Sequence, residues 1–345
     1  MSPRNQDSRF AVRGRRAAKL ALPAGALAAA WLGQHRAVPR EIPSETELAL
    51  AGLELPPDVR DRWVTTDDGA RLHVLERGSG RPVVLLHGIA CSAELWVRQL
   101  REWADGARVI AVDQRGHGLS GVGSDGFGSA PISRLAADLG AVLESLDLRD
   151  AVVIGHSMGG MATLQFAVDS RGEEAAGRVA AFGFVSTTAG PVFGVRGLAP
   201  LLGAAMPLAR GYLGARDVLG AGRLLSSDTS WWVMRSCFGT RPSLAEVRFS
   251  EAMAMATSPR TVSGLLSGVA SFDLSRRLGR LEVPSAVLVG TADRLTPPFH
   301  ARRLARLLGD VEVAELKDCG HMPMIERPDA LDELLGKLMA QSAAA

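Results

Sequence analysis

Cysteine and aromatic residues are scarce in this chain of 345 residues. It has three cysteines, with no C-x-x-C pair and no histidine cluster at zinc-binding spacing. The number and spacing of these residues predict neither a disulfide framework nor a structural metal site, and the question of a single disulfide bridge stays open. Aromatic residues make up 5% of the chain and include a single tyrosine. Because no basic stripe is interleaved with aromatic residues, we predict no nucleic-acid partner.

Basic charge is also scarce outside the N-terminal region. The formal net charge is +2, but residues 1–40 carry eight Lys or Arg and one Asp, which leaves 31 basic and 36 acidic residues among the other 305. The main part of the chain is therefore mildly acidic. This balance argues against a nucleic-acid-binding surface on the folded part.

The N-terminal region lacks an apolar run of the length that a transmembrane helix normally needs, about 20 residues. Its charge-free stretch, Leu20–Gly33, is 14 residues long, contains Pro23 and follows a basic start. Three interpretations stay open: a secretory signal with a cleavage site within Ala28–Ala30, a membrane anchor with Lys19 at the interface, or a short surface helix or tail. The first two predict an exported or membrane-associated protein, and the third a cytoplasmic one.

Beyond a linker at 41–58 that several prolines interrupt, strand and helix signals alternate along the chain. Such alternation predicts a parallel sheet with helices on both faces. A hairpin is predicted over 62–78, with its turn at Asp68–Gly69. Further strands are predicted at 82–88, 108–113, 151–156, 178–187, 284–293 and 311–316, with helices at 92–104, 132–146, 158–168 and 328–339.

Between Thr188 and Arg280 the alternation lapses into helical or irregular sequence, which predicts an inserted helical lid. The resulting organisation has an N-terminal segment and linker at 1–55, a core formed by 56–187 and 281–345, and a lid at 188–280. The predicted fold class is α/β, with a mostly parallel, eight-stranded, doubly wound sheet.

The stretch AVVIGHSMGG, residues 151–160, ends a buried strand at a serine flanked by glycines. A helix is predicted to follow at once, so Ser157 lies at a sharp strand-to-helix turn where the backbone is strained. Gly155 and Gly159 remove side chains that would collide with the neighbouring turn. This G-x-S-x-G pattern is typical of a nucleophile elbow. The alternative is a glycine-rich corner with an incidental serine.

Two candidate partners of Ser157 follow later strands. Asp293 comes just after the strand signal of residues 284–293, and His321 lies in the loop after the last predicted strand. Open α/β sheets build their sites at the carboxyl ends of strands, so both residues are expected near the serine. The chain order Ser, Asp, His fits a catalytic triad. Taken singly, each partner also fits an ordinary loop residue.

Five features together make the chain similar to the α/β-hydrolase family over about residues 60–342. They are LLHGIACSAELW (85–96), DQRGHGLS (113–120), GHSMGG (155–160), Asp293 and GHMPMIERP (320–328).

The resemblance assigns roles to further residues. It implies that the backbone N–H groups of Ile89 and Met158 form an oxyanion hole. It also implies that Asp113 and Arg115 tie their loop, and that His117 packs or forms hydrogen bonds rather than acting as a base. His156 is a poor base candidate because its side chain is expected to point away from the serine.

The predicted function is hydrolysis of a carboxylic ester in a small-molecule acyl substrate, through an acyl-enzyme on Ser157 and with no metal or organic cofactor. Because the loop reads HGIA rather than HGGG, the resemblance is closer to small esterases, cofactor-free haloperoxidases and carbon–carbon bond hydrolases. Those chemistries stay open, as does a non-catalytic ligand-binding protein on the same fold. The oligomeric state is open too. A substrate pocket in the lid is assigned to Trp231, Trp232, Met234 and Phe238, with ordinary core packing as the alternative.

Overall fold

The computed structural model describes residues 39, 41, 43–128, 131–170, 176–192 and 228–343. The N-terminal signal, anchor or tail and residues 193–227 of the predicted lid lie outside these described residues. Among the helices of the described residues, none combines the length and the apolar character that crossing a membrane requires.

In the described residues, eight strands form one sheet. Their bounds are β1 Arg60–Thr65, β2 Arg71–Gly78, β3 Arg81–Leu86, β4 Ala107–Val112, β5 Ala151–His156, β6 Val179–Val185, β7 Ser285–Gly290 and β8 Val313–Leu316. The order across the sheet is β1-β2-β4-β3-β5-β6-β7-β8. Strand β2 is antiparallel to β1 and β4, and the other pairs are parallel. The predicted mostly parallel eight-stranded α/β sheet is confirmed.

The helices of the described part of the chain occupy most of the connections between strands. They are α1 Glu45–Leu50, α2 Val97–Glu102, α3 Pro131–Ser145, α4 Met158–Asp169, α5 Asp228–Cys237, α6 Leu244–Ala256, α7 Pro259–Ser271, α8 Pro298–Leu307, α9 Pro323–Glu326 and α10 Pro328–Ala343, with 3-10 turns at Ala93–Trp96 and Ala176–Arg178. Helices α5, α6 and α7 follow β6 and precede β7, within the stretch predicted as a lid.

The centre of the sheet is buried on both faces. All of β5 and the Val83–Leu86 part of β3 are inaccessible to solvent, as expected for apolar parallel strands covered by helices. Helix α4 is buried at every position except Asp169, so it shows no one-sided apolar pattern. The junction between β5 and α4, which carries the partly exposed Ser157, is therefore flanked by buried elements.

The region predicted as a linker contains a helix and is attached to the core. Helix α1 begins at a capping box in which the side chains of Ser44 and Glu47 each accept the other's backbone N–H, a recognised helix-start pattern. After this helix, the guanidinium group of Arg98 donates to the carbonyl of Ala51 at 2.9 Å, and Leu53 is buried. A boundary at residue 55 therefore does not coincide with the first residues that pack on the core.

Two further details differ from the sequence-based assignment. Helix α8 is missing from that assignment, although Pro298 at its first position is a helix-start signal. All three cysteines are free and buried, so the one bridge that the sequence leaves open is not formed. Burial raises the pKa of the thiols of Cys91 and Cys237 to about 12.

Candidate active site

The turn between β5 and α4 forces Ser157 into a backbone conformation that non-glycine residues rarely adopt. Its φ is 53° and its ψ is −117°, a strained combination of the kind that clusters at functional sites. A Cβ on Gly155 would lie 2.6 Å from the carbonyl oxygen of Gly159, and a Cβ on Gly159 would lie 2.4 Å from the carbonyl oxygen of Leu86. Both glycines of the G-x-S-x-G pattern are therefore required by close backbone contacts.

A third glycine of the motif has its own contact. A Cβ on Gly160 would lie 2.7 Å from the side chain of Thr187. The Thr187 hydroxyl in turn donates to the carbonyl of Ser157 at 2.7 Å. The end of β6 therefore supports the elbow from the side, a role that the five-residue pattern does not reveal.

Asp293 and His321 form a buried pair. Oδ2 of Asp293 lies 2.8 Å from Nδ1 of His321. The carboxylate also accepts from the backbone N–H groups of Leu295 and Thr296, both at 2.9 Å, and from the Thr296 hydroxyl at 2.8 Å. The aspartate and the histidine are 3% and 4% exposed, so this contact is shielded from water.

The charges of this pair favour one protonation pattern. Burial alone would raise the pKa of Asp293, but the positive potential and hydrogen bond of His321 and the donors of Thr296 outweigh it, and the pKa lies below its usual value. An ionised carboxylate can only accept, so Nδ1 of His321 carries the proton. In the neutral form of the imidazole, Nε2 then has a free lone pair, as a general base requires.

His156, the last residue of β5 and the neighbour of Ser157 in sequence, contacts His321. Nε2 of His156 donates to the carbonyl of His321 at 2.8 Å, and the centroids of the two imidazole rings are 4.8 Å apart. Burial, with His321 nearby, lowers the pKa of His156 well below its usual value. The imidazole of His156 is therefore neutral, and its Nε2–H is bonded to a carbonyl group. Both observations support the prediction that His156 is not the base.

Among the described residues, neither Oγ of Ser157 nor Nε2 of His321 has a hydrogen-bond partner. Contacts between a nucleophile and its base are often long in a free enzyme and tighten when substrate binds. The structure therefore leaves both atoms without a competing partner among the described residues.

The predicted oxyanion donors flank the serine. Met158 occupies the first position of α4, where helix geometry leaves its N–H without an intrahelical acceptor. The loop with Ile89 approaches from β3, and a Cβ on Gly88 would lie 3.1 Å from the Cβ of Ser157. Within the described residues, the N–H of Ile89 makes no hydrogen bond. Neither N–H group thus has an acceptor among the described residues, as the predicted oxyanion hole requires.

Two buried histidines fix the loop that carries Ile89. Nε2 of His117 accepts from the N–H of Ala90 at 3.1 Å, while Nε2 of His87 accepts from the N–H of Gln114 at 3.0 Å. Ala90 has a φ of 59°, so its backbone is strained. Burial lowers the pKa of His117 to about 3, which keeps the ring neutral and able to accept. Sequence reasoning made His117 a packing or hydrogen-bonding residue without identifying this partner.

The remaining residues of DQRGHGLS hold their loop in the way the resemblance implies. The Asp113 carboxylate accepts from the N–H groups of Ala93 and Leu119, at 2.6 and 3.0 Å. The buried guanidinium of Arg115 binds the carboxylates of Asp68 and Asp138, with shortest contacts of 2.7 and 2.6 Å.

The four predicted pocket residues lie on or just after α5, with different exposures. Phe238 is fully buried, Trp231 and Met234 are 8% exposed, and Trp232 is 38% exposed. The two tryptophan rings meet edge to face with centroids 4.8 Å apart. Phe238 thus has the surroundings of a packing residue, whereas Trp232 is partly exposed to solvent.

No three histidine, cysteine, aspartate or glutamate side chains are grouped closely enough to hold a metal ion in the part of the chain that the structure describes. The polar groups at the end of the sheet are instead arranged as a serine, a histidine–carboxylate pair and two backbone donors. This set can carry out acyl transfer.

Comparison with known proteins agrees with the fold and with these motifs. Residues 83–334 match the model of the alpha/beta hydrolase family, which is most of the chain. The protein belongs to that family. The matched range runs from β3 into α10 and includes the strands that carry Ser157, Asp293 and His321.

Two curated relatives illustrate the range of similarity. This hydrolase is 43% identical to the non-heme chloroperoxidase CPO-A1 of Kitasatospora aureofaciens over 97 residues, which are 28% of this chain and 34% of that protein. It is 26% identical to the AB hydrolase superfamily protein YisY of Bacillus subtilis over 285 residues, 80% of this chain and 97% of that one. The chain thus spans about a third of the first relative's length and nearly all of the second's.

A solved structure gives the same result for the fold. A thermophilic esterase from Thermogutta terrifontis matches with a TM-score of 0.66 and 24% identity, over 82% of this chain and 99% of that one. At this identity the match supports the fold and leaves the substrate to be argued from the site.

Proposed function

We propose that this hydrolase cleaves a carboxylic ester through an acyl-enzyme formed on Ser157. The observation that carries the proposal is the 2.8 Å contact between His321 Nδ1 and Asp293 Oδ2, next to a serine held at a φ of 53°. A buried histidine–carboxylate pair beside a strained serine is the arrangement that activates a hydroxyl group as a nucleophile.

In the proposed reaction, Nε2 of His321 takes the Ser157 proton as Oγ bonds to the ester carbonyl carbon. The proton then passes to the leaving alcohol when the carbon–oxygen bond of the ester breaks. In the second half, His321 takes a proton from water as the water oxygen bonds to the acyl carbon, and it passes this proton to Oγ of Ser157 as the acyl–oxygen bond breaks and the acid is released. Asp293 stays ionised throughout and stabilises the imidazolium ion. Because His321 gives each proton that it takes to the leaving alcohol or to Ser157, we expect no cofactor.

The backbone N–H groups of Ile89 and Met158 would stabilise the tetrahedral oxyanion. Each such donor is worth about 3 kcal/mol of transition-state stabilisation. The neutral ring of His117, by holding the N–H of Ala90, fixes the peptide next to the Ile89 donor. Preorganisation of this kind is favourable because no reorganisation is needed as charge develops.

We further propose that the inserted helices cover the site as a lid and that the acyl group is moderately apolar. Support comes from Trp231 and Met234, which are buried on α5, and from the direct contact between the end of α5 and the loop of His321, where the N–H of His321 donates to the carbonyl of Cys237 at 2.6 Å. An apolar pocket with few polar groups is the usual environment of such substrates.

A second candidate is cofactor-free haloperoxidase chemistry at the same serine. It is favoured by the 43% identity to a non-heme chloroperoxidase, although that match covers only 34% of the relative. The two candidates share the same nucleophile and base. They differ in which molecule attacks the acyl-enzyme, water or hydrogen peroxide.

The experiment that tests the proposal treats the protein with a fluorophosphonate probe and maps the labelled peptide by mass spectrometry. We expect labelling at Ser157, none in Ser157→Ala, and hydrolysis of p-nitrophenyl esters by the unsubstituted protein only. A folded protein that is not labelled at Ser157 and hydrolyses no ester would contradict the proposal. Halogenation of monochlorodimedone with acetate and peroxide, in the absence of ester turnover, would favour the second candidate.

A further inference from the structure

Glu326 is a partly buried carboxylate whose contacts are mostly with backbone groups, apart from the Cys319 thiol, which donates to Oε1 at 3.7 Å. Oε1 accepts from the N–H groups of Gly320 and Met322, at 2.9 and 3.4 Å. Oε2 accepts from the N–H of Gly239 at 2.7 Å. The first two donors flank His321 on both sides, while the third follows helix α5. One side chain therefore joins the loop of the candidate base to the first described helix of the insertion.

The charge of Glu326 is not balanced by a salt bridge to any residue that the structure describes. Burial raises the pKa of Glu326, and the backbone donors of Gly239, Gly320 and Met322 lower it again in part. Burying a carboxylate costs free energy unless hydrogen bonds compensate for the loss of water. Its partners indicate that its role is to hold two backbone segments in place.

The two segments held by Glu326 lie against each other at close range. A Cβ on Gly320 would lie 2.5 Å from the carbonyl oxygen of Cys237, and a Cβ on Gly239 would lie 1.9 Å from the carbonyl oxygen of Asp318. The N–H of His321 donates to the Cys237 carbonyl at 2.6 Å. A shift of the C-terminal end of α5 would therefore move the backbone of His321 directly.

We infer that Glu326 is a positioning residue that sets the imidazole of His321 by fixing its loop to the end of α5. The inference rests on the proposed function, in which Nε2 of His321 is the base. In the sequence, Glu326 belongs to GHMPMIERP, and the proposed chemistry uses only the histidine of that motif. The carboxylate acts through backbone N–H groups and touches no reacting atom.

The test compares Glu326→Gln and Glu326→Ala with Glu333→Gln, an exposed glutamate on α10. A glutamine has one acceptor oxygen, so it can bind the loop of His321 or the N–H of Gly239, but not both. We expect Glu326→Ala to lower kcat by about 100-fold with little change in KM, because small misplacements of a catalytic group have effects of this size. Glu326→Gln is expected to lie between the alanine variant and the unsubstituted protein, and Glu333→Gln to match the latter.

Amide hydrogen exchange supplies a readout that does not depend on turnover. Faster exchange at Gly239 and His321 in Glu326→Gln, with unchanged exchange in the core strands, is the expected result. If both glutamate variants keep kcat within twofold, or lose only thermal stability while the folded fraction stays fully active, the inference is wrong. Failure of the alanine variant to fold leaves the glutamine variant to decide.

The proposed function is judged separately. Absence of fluorophosphonate labelling at Ser157 in the unsubstituted protein refutes the proposed function. If the unsubstituted protein and both Glu326 variants are labelled at Ser157 at the same rate, only the positioning role of Glu326 is refuted.

Discussion

The two oxygens of Asp293 receive four hydrogen bonds, and only one of the donors is His321. The other three come from Leu295 and Thr296. These three hydrogen bonds hold the carboxylate in place independently of the imidazole. Asp318, the other acidic residue near His321 in sequence, is exposed and has a φ of 61°. Asp293 is therefore buried and held by several hydrogen bonds, as the acid of a triad needs to be, whereas Asp318 is exposed to solvent.

Asp293→Asn is expected to lower kcat by about 10⁴-fold, by analogy with the aspartate of other serine triads. The asparagine amide can donate to Nδ1 of His321, which places the proton on Nε2 and leaves the base unable to accept. Asp318→Asn is the matched control, because asparagine tolerates a positive φ. Steady-state ester hydrolysis measures both variants, and near-normal activity of Asp293→Asn would assign the role to another acid.

At the residue scale, sequence patterns identify the groups proposed to react and overlook the contacts that hold the loops around them. Ser157, Asp293 and His321 each lie in a short motif or at a strand end. The acceptor role of His117 toward Ala90 joins residues 27 apart, and that of Glu326 toward Gly239 joins residues 87 apart. Neither contact follows from local spacing, since both depend on how distant loops meet at the edge of the sheet.

At the scale of elements, the elbow depends on the packing of β3, β5 and α4 against one another. Gly159 lies where the backbone of α4 passes the end of β3, and its Cβ would come within 2.6 Å of the His87 carbonyl as well as that of Leu86. Backbone atoms cannot move aside as a flexible side chain can. Gly159 is therefore needed for the packing of α4 against the end of β3, and not only for the conformation of Ser157.

Gly159→Ala is expected to lower the free energy of unfolding by about 3 kcal/mol, at the upper end of the range for overpacked interiors. Gly336→Ala is the matched control, because Gly336 is within α10 and a Cβ there would meet no atom within 4 Å. The control should gain about 1 kcal/mol through helix propensity. Urea unfolding measures both, and equal stability of the two variants would show that the elbow can relax around the added methyl group.

The elements that sequence patterns predict best are those with strong burial. Strands β3, β4 and β5 fall within two residues of their predicted bounds, because fully buried parallel strands are continuous apolar runs. The edge strand β8 is exposed at Ala314 and Glu315, and its pattern is correspondingly weak. Helix α8 follows the loop of Asp293 directly, and it is missing from the sequence-based assignment because the pair Pro297 and Pro298 favours a turn as well as a helix start.

At the scale of the whole molecule, the sheet brings residues that are far apart in sequence together at the carboxyl ends of its parallel strands. Strands β3, β5, β6 and β7 are neighbours, and the loops after β3, β5 and β7 carry Ile89, Ser157 and Asp293. The predicted fold class was enough to expect this convergence. The contact between the inserted helices and the loop of His321 was not predictable, because the insertion has no periodic pattern that relates it to the sheet.

The central claim is that Ser157 becomes covalently acylated during turnover. The most direct measurement mixes the protein with p-nitrophenyl acetate, stops the reaction with acid within the first turnover, and maps acetylated peptides by mass spectrometry. We predict one acetyl group on the peptide that contains Ser157, which disappears as the substrate is consumed and is absent from Ser157→Ala. Ester turnover without an acetyl group on Ser157, or with one on another residue, would contradict it.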